Sequence, residues 1–164
     1  MYLRTLAAEV SKAKSDFYIS EGDKIKFGTR YVTAISTPGH TSGCLSFVLD
    51  DSSAVFTGDA LLIRGCGRTD FQQGNAALLY DSIHTKLFSS LPPSCLVYPG
   101  HDYKGNLSSS IGEESAFNPR LTKTKEEFIV LMDKLGLPAP KQIERAVPAN
   151  MAGGDVPDAH SLVL

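Results

Sequence analysis

Two histidines and one aspartate stand where predicted strands give way to loops. His40 and His101 each follow a Pro-Gly pair, and Asp59 follows Gly58. Imidazole and carboxylate groups together suit zinc, iron or manganese, and two histidines with one carboxylate form the ligand set of non-haem iron(II) oxygenases. A glycine before each ligand permits the tight turn that aims the side chain inward. These residues therefore indicate a metal centre at one edge of a sheet.

Each of these residues also has an ordinary structural explanation. A single histidine after Pro-Gly is commonly an exposed loop residue, and Gly-Asp after a strand is commonly an Asx turn. The coincidence of three such residues at strand ends is what favours the metal centre. His84, on a predicted helix, and His160, near the carboxy terminus, lack this placement, so we predict that neither is a ligand.

A glycine-punctuated loop over residues 61–74 directly follows Asp59 and brings Arg64 and Arg68 towards the predicted metal. Arginine beside a metal favours an anionic substrate, because the guanidinium can bind a carboxylate through two parallel hydrogen bonds. Pairing of these arginines with surface acids is the open alternative. Cys66 lies in the same loop without a histidine to lower the pKa of its thiol, so a structural role is predicted for it.

Two residues outside this loop are further candidates. Tyr103 lies two positions after His101 and could direct its hydroxyl into the same cavity. Arg120 follows an Asn-Pro pair in a loop, where a second contact with an anion is possible. Both suggestions depend on spacing alone.

The elements that must position these residues include several strands. β-Branched and aromatic residues bounded by glycine, proline or short polar turns predict strands over residues 24–27, 30–36, 44–49, 54–57 and 95–98.

Helices are predicted from apolar periodicity and capping signals. An apolar residue at every fourth position predicts a helix over residues 76–90, and Ser-x-x-Glu at 110 and Thr-x-x-Glu at 124 open two more. Apolar residues at helical spacing also predict a short amphipathic helix over residues 1–15, with a cleavable mitochondrial presequence as the alternative.

Length and composition set the outer limits. At about 150 residues per domain, 164 residues make one domain. Sixteen Lys and Arg against 18 Asp and Glu give a net charge of −2, which disfavours nucleic acid or an anionic membrane as a partner. No apolar run approaches the roughly 18 residues of a membrane span. Three widely spaced cysteines disfavour a disulfide framework or a thiolate zinc site.

The three candidate ligands lie in segments that resemble metal-site motifs of the metallo-β-lactamase superfamily, namely PGHT (38–41), FTGDA (56–60) and PGHDY (99–103). Within that superfamily, the chain resembles the persulfide dioxygenases, also called sulfur dioxygenases, of the ethylmalonic encephalopathy protein type. Residues 61–74 carry the pattern of this group, 118–122 and 147–151 add to it, and the likeness covers residues 8–153. The glyoxalase II family shares Gly-Cys-Gly-Arg but usually continues with two phenylalanines and an acidic residue, where this chain has Thr-Asp-Phe at 69–71.

The resemblance implies an α/β fold, the αββα metallo-β-lactamase-like sandwich. It also implies oxidation of glutathione persulfide by O₂ to sulfite and glutathione, in the disposal of hydrogen sulfide. This reaction would use one iron(II) ion per subunit, with O₂ and the persulfide sulfur at open positions of the metal. A homodimer in the mitochondrial matrix is the further family expectation, although the chain carries no clear targeting signal.

The same motif match assigns roles to individual residues. His40 and Asp59 would be iron ligands, and His101 would lie beside the metal as a catalytic or supporting residue. The substrate-binding residues, which would hold the glutathione carboxylates, are Arg68, Tyr103 and Arg120.

One departure from the superfamily is large. Its His-x-His-x-Asp-His motif supplies at least one further histidine ligand, whereas the first histidine here is His40. We therefore expect residues 1–153 to form a partial metallo-β-lactamase-like domain that lacks part of its N-terminal half, with a flexible tail over 154–164. The chain would start at an internal methionine or be a shortened isoform, and its iron binding would be weak. A glyoxalase II-like hydroxyacylglutathione hydrolase and a non-catalytic truncated isoform are the alternatives.

Overall fold

A six-stranded sheet carries the loops that contain the candidate ligands. The computed structural model describes residues 5–71 and 73–154. Its strands are β1 (Leu6–Ala8), β2 (Phe17–Ile19), β3 (Lys24–Phe27), β4 (Arg30–Ser36), β5 (Leu45–Leu49), β6 (Ala54–Gly58), β7 (Leu61–Leu62), β8 (Gly65–Cys66), β9 (Leu96–Pro99) and β10 (Ser109–Ser110). The main sheet has the order β10-β9-β6-β5-β4-β3, while β1 pairs with β2 and β7 pairs with β8.

The helices are α1 (Ala76–Asp81), α2 (Ile111–Phe117), α3 (Lys125–Asp133) and α4 (Ile143–Met151), with a π-helical segment (Ser82–Phe88) that continues α1. The Ser110 side chain caps α2 by accepting from the backbone N–H of Glu113. Thr124 and Glu127 form a reciprocal capping box at the start of α3. Both capping predictions are therefore confirmed. No helix of the described chain is long and apolar enough to span a membrane.

Strand direction brings the three ligand loops to one edge of the sheet. Strand β5 is antiparallel to both β4 and β6, so β4 and β6 run in the same direction. Strand β9 is parallel to β6, with Phe56 opposite Tyr98. The loops after β4, β6 and β9 therefore begin at the same edge, as the sequence predicted.

The two faces of the sheet differ in burial. Val48, Val55 and Val97 share one face and pack into the core, which also contains the fully buried Leu79 and Phe128 from the helices. The opposite face carries Phe56 and Leu96, which are 44% and 42% exposed, and the Phe56 ring stacks on Tyr98 at 5.5 Å. Burial on the helical side thus supplies the main hydrophobic stabilisation of the described chain.

The structure corrects two local predictions. The helix over residues 1–15 is wrong in its described part, because Leu6–Ala8 is a strand that pairs in parallel with Phe17–Ile19. The apolar spacing of this short segment fits a helix or a strand. The segment forms a strand because it pairs with a second strand 11 residues away. Helix α4 was not predicted, and it contains in its interior Pro148, a residue type that disfavours helices. The tail predicted over 154–164 lies, apart from Gly154, outside the described residues, and so does His160.

Neighbouring residues on opposite faces give a test of this arrangement. Val55→Ala, which removes two buried methyl groups, should lower the free energy of unfolding by about 2 kcal/mol. Phe56→Thr, on the half-exposed face, should cost no more than about 1 kcal/mol and should reduce the binding of a hydrophobic dye. Urea denaturation measures both variants. A larger loss for Phe56→Thr would contradict the assignment of the core to the helical face.

Candidate metal centre

Asp59 lies between the two histidines and presents a different oxygen to each. Its Oδ2 is 3.6 Å from Nε2 of His40, and its Oδ1 is 3.0 Å from Nδ1 of His101. The loops after β6, β4 and β9 supply these three side chains, which are all partly exposed. The convergence predicted from their positions at strand ends is confirmed.

Glycines make room for this convergence. A Cβ at position 100 would lie 2.7 Å from Oδ1 of Asp59, inside van der Waals contact. Gly39, the residue before His40, has a φ of +133° and lies against the backbone of Leu79. A side chain at position 100 would displace Asp59, and one at position 39 would collide with Leu79 of α1, so both glycines are required for close approach.

A backbone carbonyl fixes the His40 imidazole. Nδ1 of His40 lies 2.6 Å from the carbonyl oxygen of Arg68. A carbonyl only accepts hydrogen bonds, so in the neutral imidazole Nδ1 carries the ring proton and Nε2 keeps its lone pair. Nε2 is also the atom that faces Asp59. This hydrogen bond gives His40 the tautomer that a metal ligand needs.

The donor atoms fit part of a metal site. Two ligand bonds of about 2.1 Å at an angle near 120° separate their donor atoms by about 3.6 Å. Nε2 of His40 and Oδ2 of Asp59 have this separation. In the described chain, however, no group of three or more His, Cys, Asp or Glu side chains is arranged to hold a metal ion. His40 and Asp59 thus fit two positions of a larger ligand set.

The Arg68 guanidinium is held by groups of the protein. Nε and Nη2 both donate to the Asp70 carboxylate at 2.7 Å, and Nη1 and Nη2 donate to the carbonyls of Pro138 and Leu137. The hydrogen bonds from Arg68 lower the pKa of the Asp70 carboxyl. The guanidinium also lies 4.4 Å from the Phe71 ring centroid. Arg68 therefore anchors its loop, and Asp70 is a partner that the sequence motifs did not identify.

The other two predicted substrate-binding residues are less constrained. Arg120 is half-buried, and its Nη1 donates to the carbonyl of Cys66 at 3.1 Å, immediately before the backbone that touches His40. Tyr103 is 90% exposed, with its ring centroid 4.7 Å from that of His101.

Three other candidates have structural roles. Arg64 forms ion pairs with Glu113 and Glu114, so the alternative of acid pairing applies to it. Cys66 is buried beside Met132, and burial raises the pKa of its thiol to about 11. His84 stacks on Tyr80 at 3.9 Å, and burial lowers the pKa of its imidazole.

Comparison with known proteins places the chain in a family. The sequence profile of the metallo-β-lactamase superfamily matches residues 2–101, and the chain belongs to this superfamily. Within the superfamily, it is homologous to the persulfide dioxygenases. It is 56% identical over 151 residues to "Persulfide dioxygenase ETHE1, mitochondrial" of Mus musculus, an alignment that covers 92% of this chain and 59% of the relative.

Structure gives the same relationship. The crystal structure of ETHE1 from Myxococcus xanthus superposes with a TM-score of 0.86 at 48% identity, covering 92% of this chain and 66% of the other. A hydroxyacylglutathione hydrolase of Fuscovulum blasticum is 34% identical over 136 residues, which cover 82% of this chain and 51% of the hydrolase. The resemblance stated from the motifs is confirmed, and the chain spans 59% of the length of the curated dioxygenases it matches.

Two glycines of one loop give a matched test of the packing against His40. A Cβ at position 67 would lie 2.7 Å from Cγ of His40 and closer still to the Asp59 carbonyl, whereas a Cβ at position 65 would meet its nearest atom at 3.9 Å. Gly67→Ala should cost about 1–3 kcal/mol of stability and shift the His40 ring resonances in NMR spectra. Gly65→Ala should leave those resonances in place. Equal spectra for the two variants would refute the close contact.

Cysteine alkylation tests the structural role of Cys66. Because burial raises the pKa of its thiol to about 11, Cys66 has very little thiolate at pH 8 and gains reactivity only as the pH rises towards that value. Cys44 is half-buried, so iodoacetamide should modify it at least about tenfold faster at pH 8. Mass spectrometry of peptides gives the two rates. Faster modification of Cys66 would identify it as a reactive thiol.

Proposed function

We propose that this chain carries part of the active centre of an iron-dependent persulfide dioxygenase, which oxidises glutathione persulfide with O₂ to sulfite and glutathione. One water molecule balances the reaction. The observation that carries the proposal is the pair of imidazoles on opposite oxygens of Asp59, in a chain that is 56% identical to a persulfide dioxygenase.

His40 and Asp59 would hold one iron(II) ion per subunit through Nε2 and Oδ2. Imidazole and carboxylate ligands suit this metal, and when bound it supplies open positions at which O₂ and the persulfide sulfur meet. The Arg68 carbonyl holds the His40 proton on Nδ1. His101, 3.0 Å from Oδ1 of Asp59, would hold the carboxylate by that oxygen and leave Oδ2 for the metal.

Arg68, Tyr103 and Arg120 would bind the glutathionyl carboxylates. Nη1 of Arg120 donates to the carbonyl of Cys66 at 3.1 Å and lies 4.0 Å from its Sγ, and the charge of the guanidinium can act on a carboxylate nearby. Arg68 has two bonds to Asp70, so a substrate carboxylate there competes with Asp70 or uses the remaining Nη1 proton. Tyr103 offers an exposed hydroxyl next to His101.

The remaining parts of the proposal come from kinship. We propose a homodimer in the mitochondrial matrix, in keeping with the word "mitochondrial" in the names of the mammalian relatives. The net charge of −2 supports neither nucleic acid nor an anionic membrane as a partner.

Two other functions have specific support. The identity to a hydroxyacylglutathione hydrolase supports thioester hydrolysis, although Thr69-Asp70-Phe71 departs from the pattern of that family. The second alternative is a non-catalytic form of the chain, in which His40 and Asp59 keep their mutual geometry without turnover.

Oxygen uptake separates the three functions. The 164-residue chain, and the longest reading frame that contains it, are loaded anaerobically with iron(II) and supplied with glutathione persulfide in an oxygen electrode. We expect uptake with stoichiometric sulfite, lowered by more than about a hundredfold in His40→Ala because a metal ligand is lost. His160→Ala, at a predicted non-ligand, is the control.

Unchanged uptake in His40→Ala would overturn the proposal. Hydrolysis of a hydroxyacylglutathione thioester without oxygen uptake would instead favour the hydrolase. Activity of the longer protein together with none in the 164-residue chain would identify the latter as the non-catalytic form.

A further inference from the structure

Glu114 is a fully buried carboxylate to which no sequence motif pointed. Its Oε1 accepts hydrogen bonds from Nη1 of Arg64 at 2.8 Å and from the Ser109 hydroxyl at 2.6 Å. Its Oε2 accepts from the backbone N–H of Arg64 at 2.9 Å and from the Asn118 amide at 2.8 Å. A buried charge is tolerated only where hydrogen bonds satisfy its lone pairs. Four donors therefore fix this carboxylate, and the carboxylate fixes them.

These donors hold the hairpin formed by β7 and β8. Arg64 lies in the turn between the two strands, in the left-handed conformation with a φ of +57°. Asn118 also donates to the carbonyl of Gly65, the first residue of β8, at 3.0 Å. Glu114 and Asn118 together thus attach both the turn and the second strand of the hairpin to helix α2.

The hairpin leads directly into the backbone that touches His40. Gly67 follows β8 and packs against the imidazole so closely that a Cβ would overlap it. The next residue, Arg68, provides the carbonyl that accepts from Nδ1 of His40. The position of the hairpin therefore sets the position of the carbonyl that accepts the ring proton of His40.

We propose that Glu114, together with Asn118, is a positioning residue for His40. By fixing the β7–β8 hairpin, it fixes the Arg68 carbonyl and so keeps the imidazole in the tautomer that carries its proton on Nδ1 and leaves Nε2 free for a metal. The catalytic value of this tautomer rests on the proposed function, whereas the tautomer itself belongs to the metal-free chain. A merely structural Glu114 would affect stability and leave the tautomer of the folded chain unchanged.

The test compares Glu114→Gln with Glu113→Gln in the ¹⁵N-labelled, metal-free, 164-residue chain. Glutamine keeps the shape of Glu114 but replaces one accepting oxygen with a donating amide, so at least one of the hydrogen bonds from Arg64 is lost in either orientation of the amide. Glu113 also pairs with Arg64 but is 45% exposed, which makes it the matched control. Long-range ¹H–¹⁵N spectra at mildly alkaline pH distinguish the protonated ring nitrogen of a neutral histidine from the unprotonated one.

We expect the proton of His40 to be on Nδ1 in the wild type and in Glu113→Gln, and to be distributed over both nitrogens in Glu114→Gln. Cobalt(II) titration followed by absorbance should give a dissociation constant about tenfold higher in Glu114→Gln, the size of effect typical when a support of a metal ligand is lost.

A folded Glu114→Gln chain with the His40 spectrum of the wild type would overturn the proposal. Where that variant does not fold, Ser109→Ala takes its place, because it removes one hydrogen bond to the same carboxylate from outside the hairpin. An unchanged His40 tautomer in folded Ser109→Ala would then overturn it. If the wild type has the Nδ1 tautomer but does not oxidise glutathione persulfide, the proposed function is contradicted and this inference stands.

Discussion

The common direction of β4, β6 and β9 is the constraint on which the site depends. It brings one residue from each following loop to the same edge of the sheet. Convergence alone would leave three flexible side chains in partial contact with solvent. The contacts of Asp59 with two imidazoles, through different oxygens, turn that convergence into a defined geometry.

The geometry in turn limits which residues can occupy the neighbouring backbone positions. Gly67 and Gly100 lie where any Cβ would press on His40 or Asp59. The arginines of the intervening loop are largely neutralised by acids of the same chain, Arg68 by Asp70 and Arg64 by Glu113 and Glu114. These ion pairs hold the loop in place. The arginines that made the loop look like an anion-binding segment in the sequence therefore also stiffen it.

Local signals in the sequence were enough for most of the fold and for the convergence of the ligands. Five of the six strands of the main sheet, all except β10, were predicted to within a residue, since β-branched runs between turn residues depend little on distant partners. The N-terminal segment failed because a three-residue strand exists only through its pairing with Phe17–Ile19. Asp70, the partner of Arg68, lies only two residues away in the sequence, although no motif pointed to it. The contacts of Glu114 with Arg64 span 50 residues and could be found only in the folded chain.

The two outermost strands of the main sheet, β10 and β3, affect how the chain behaves at high concentration. Strand β10 has only two residues, and the outermost strand at the other side, β3, alternates Lys24 and Lys26 with apolar residues, with Lys24 lying over the Tyr31 ring. Short or lysine-bearing edges are poor templates for strand addition, which is the step that propagates fibres. The half-exposed face around Phe56 and Tyr98, in contrast, presents apolar side chains to solvent. Two copies packed face to face about a two-fold axis would cover this surface on both, which would leave no apolar face for further growth.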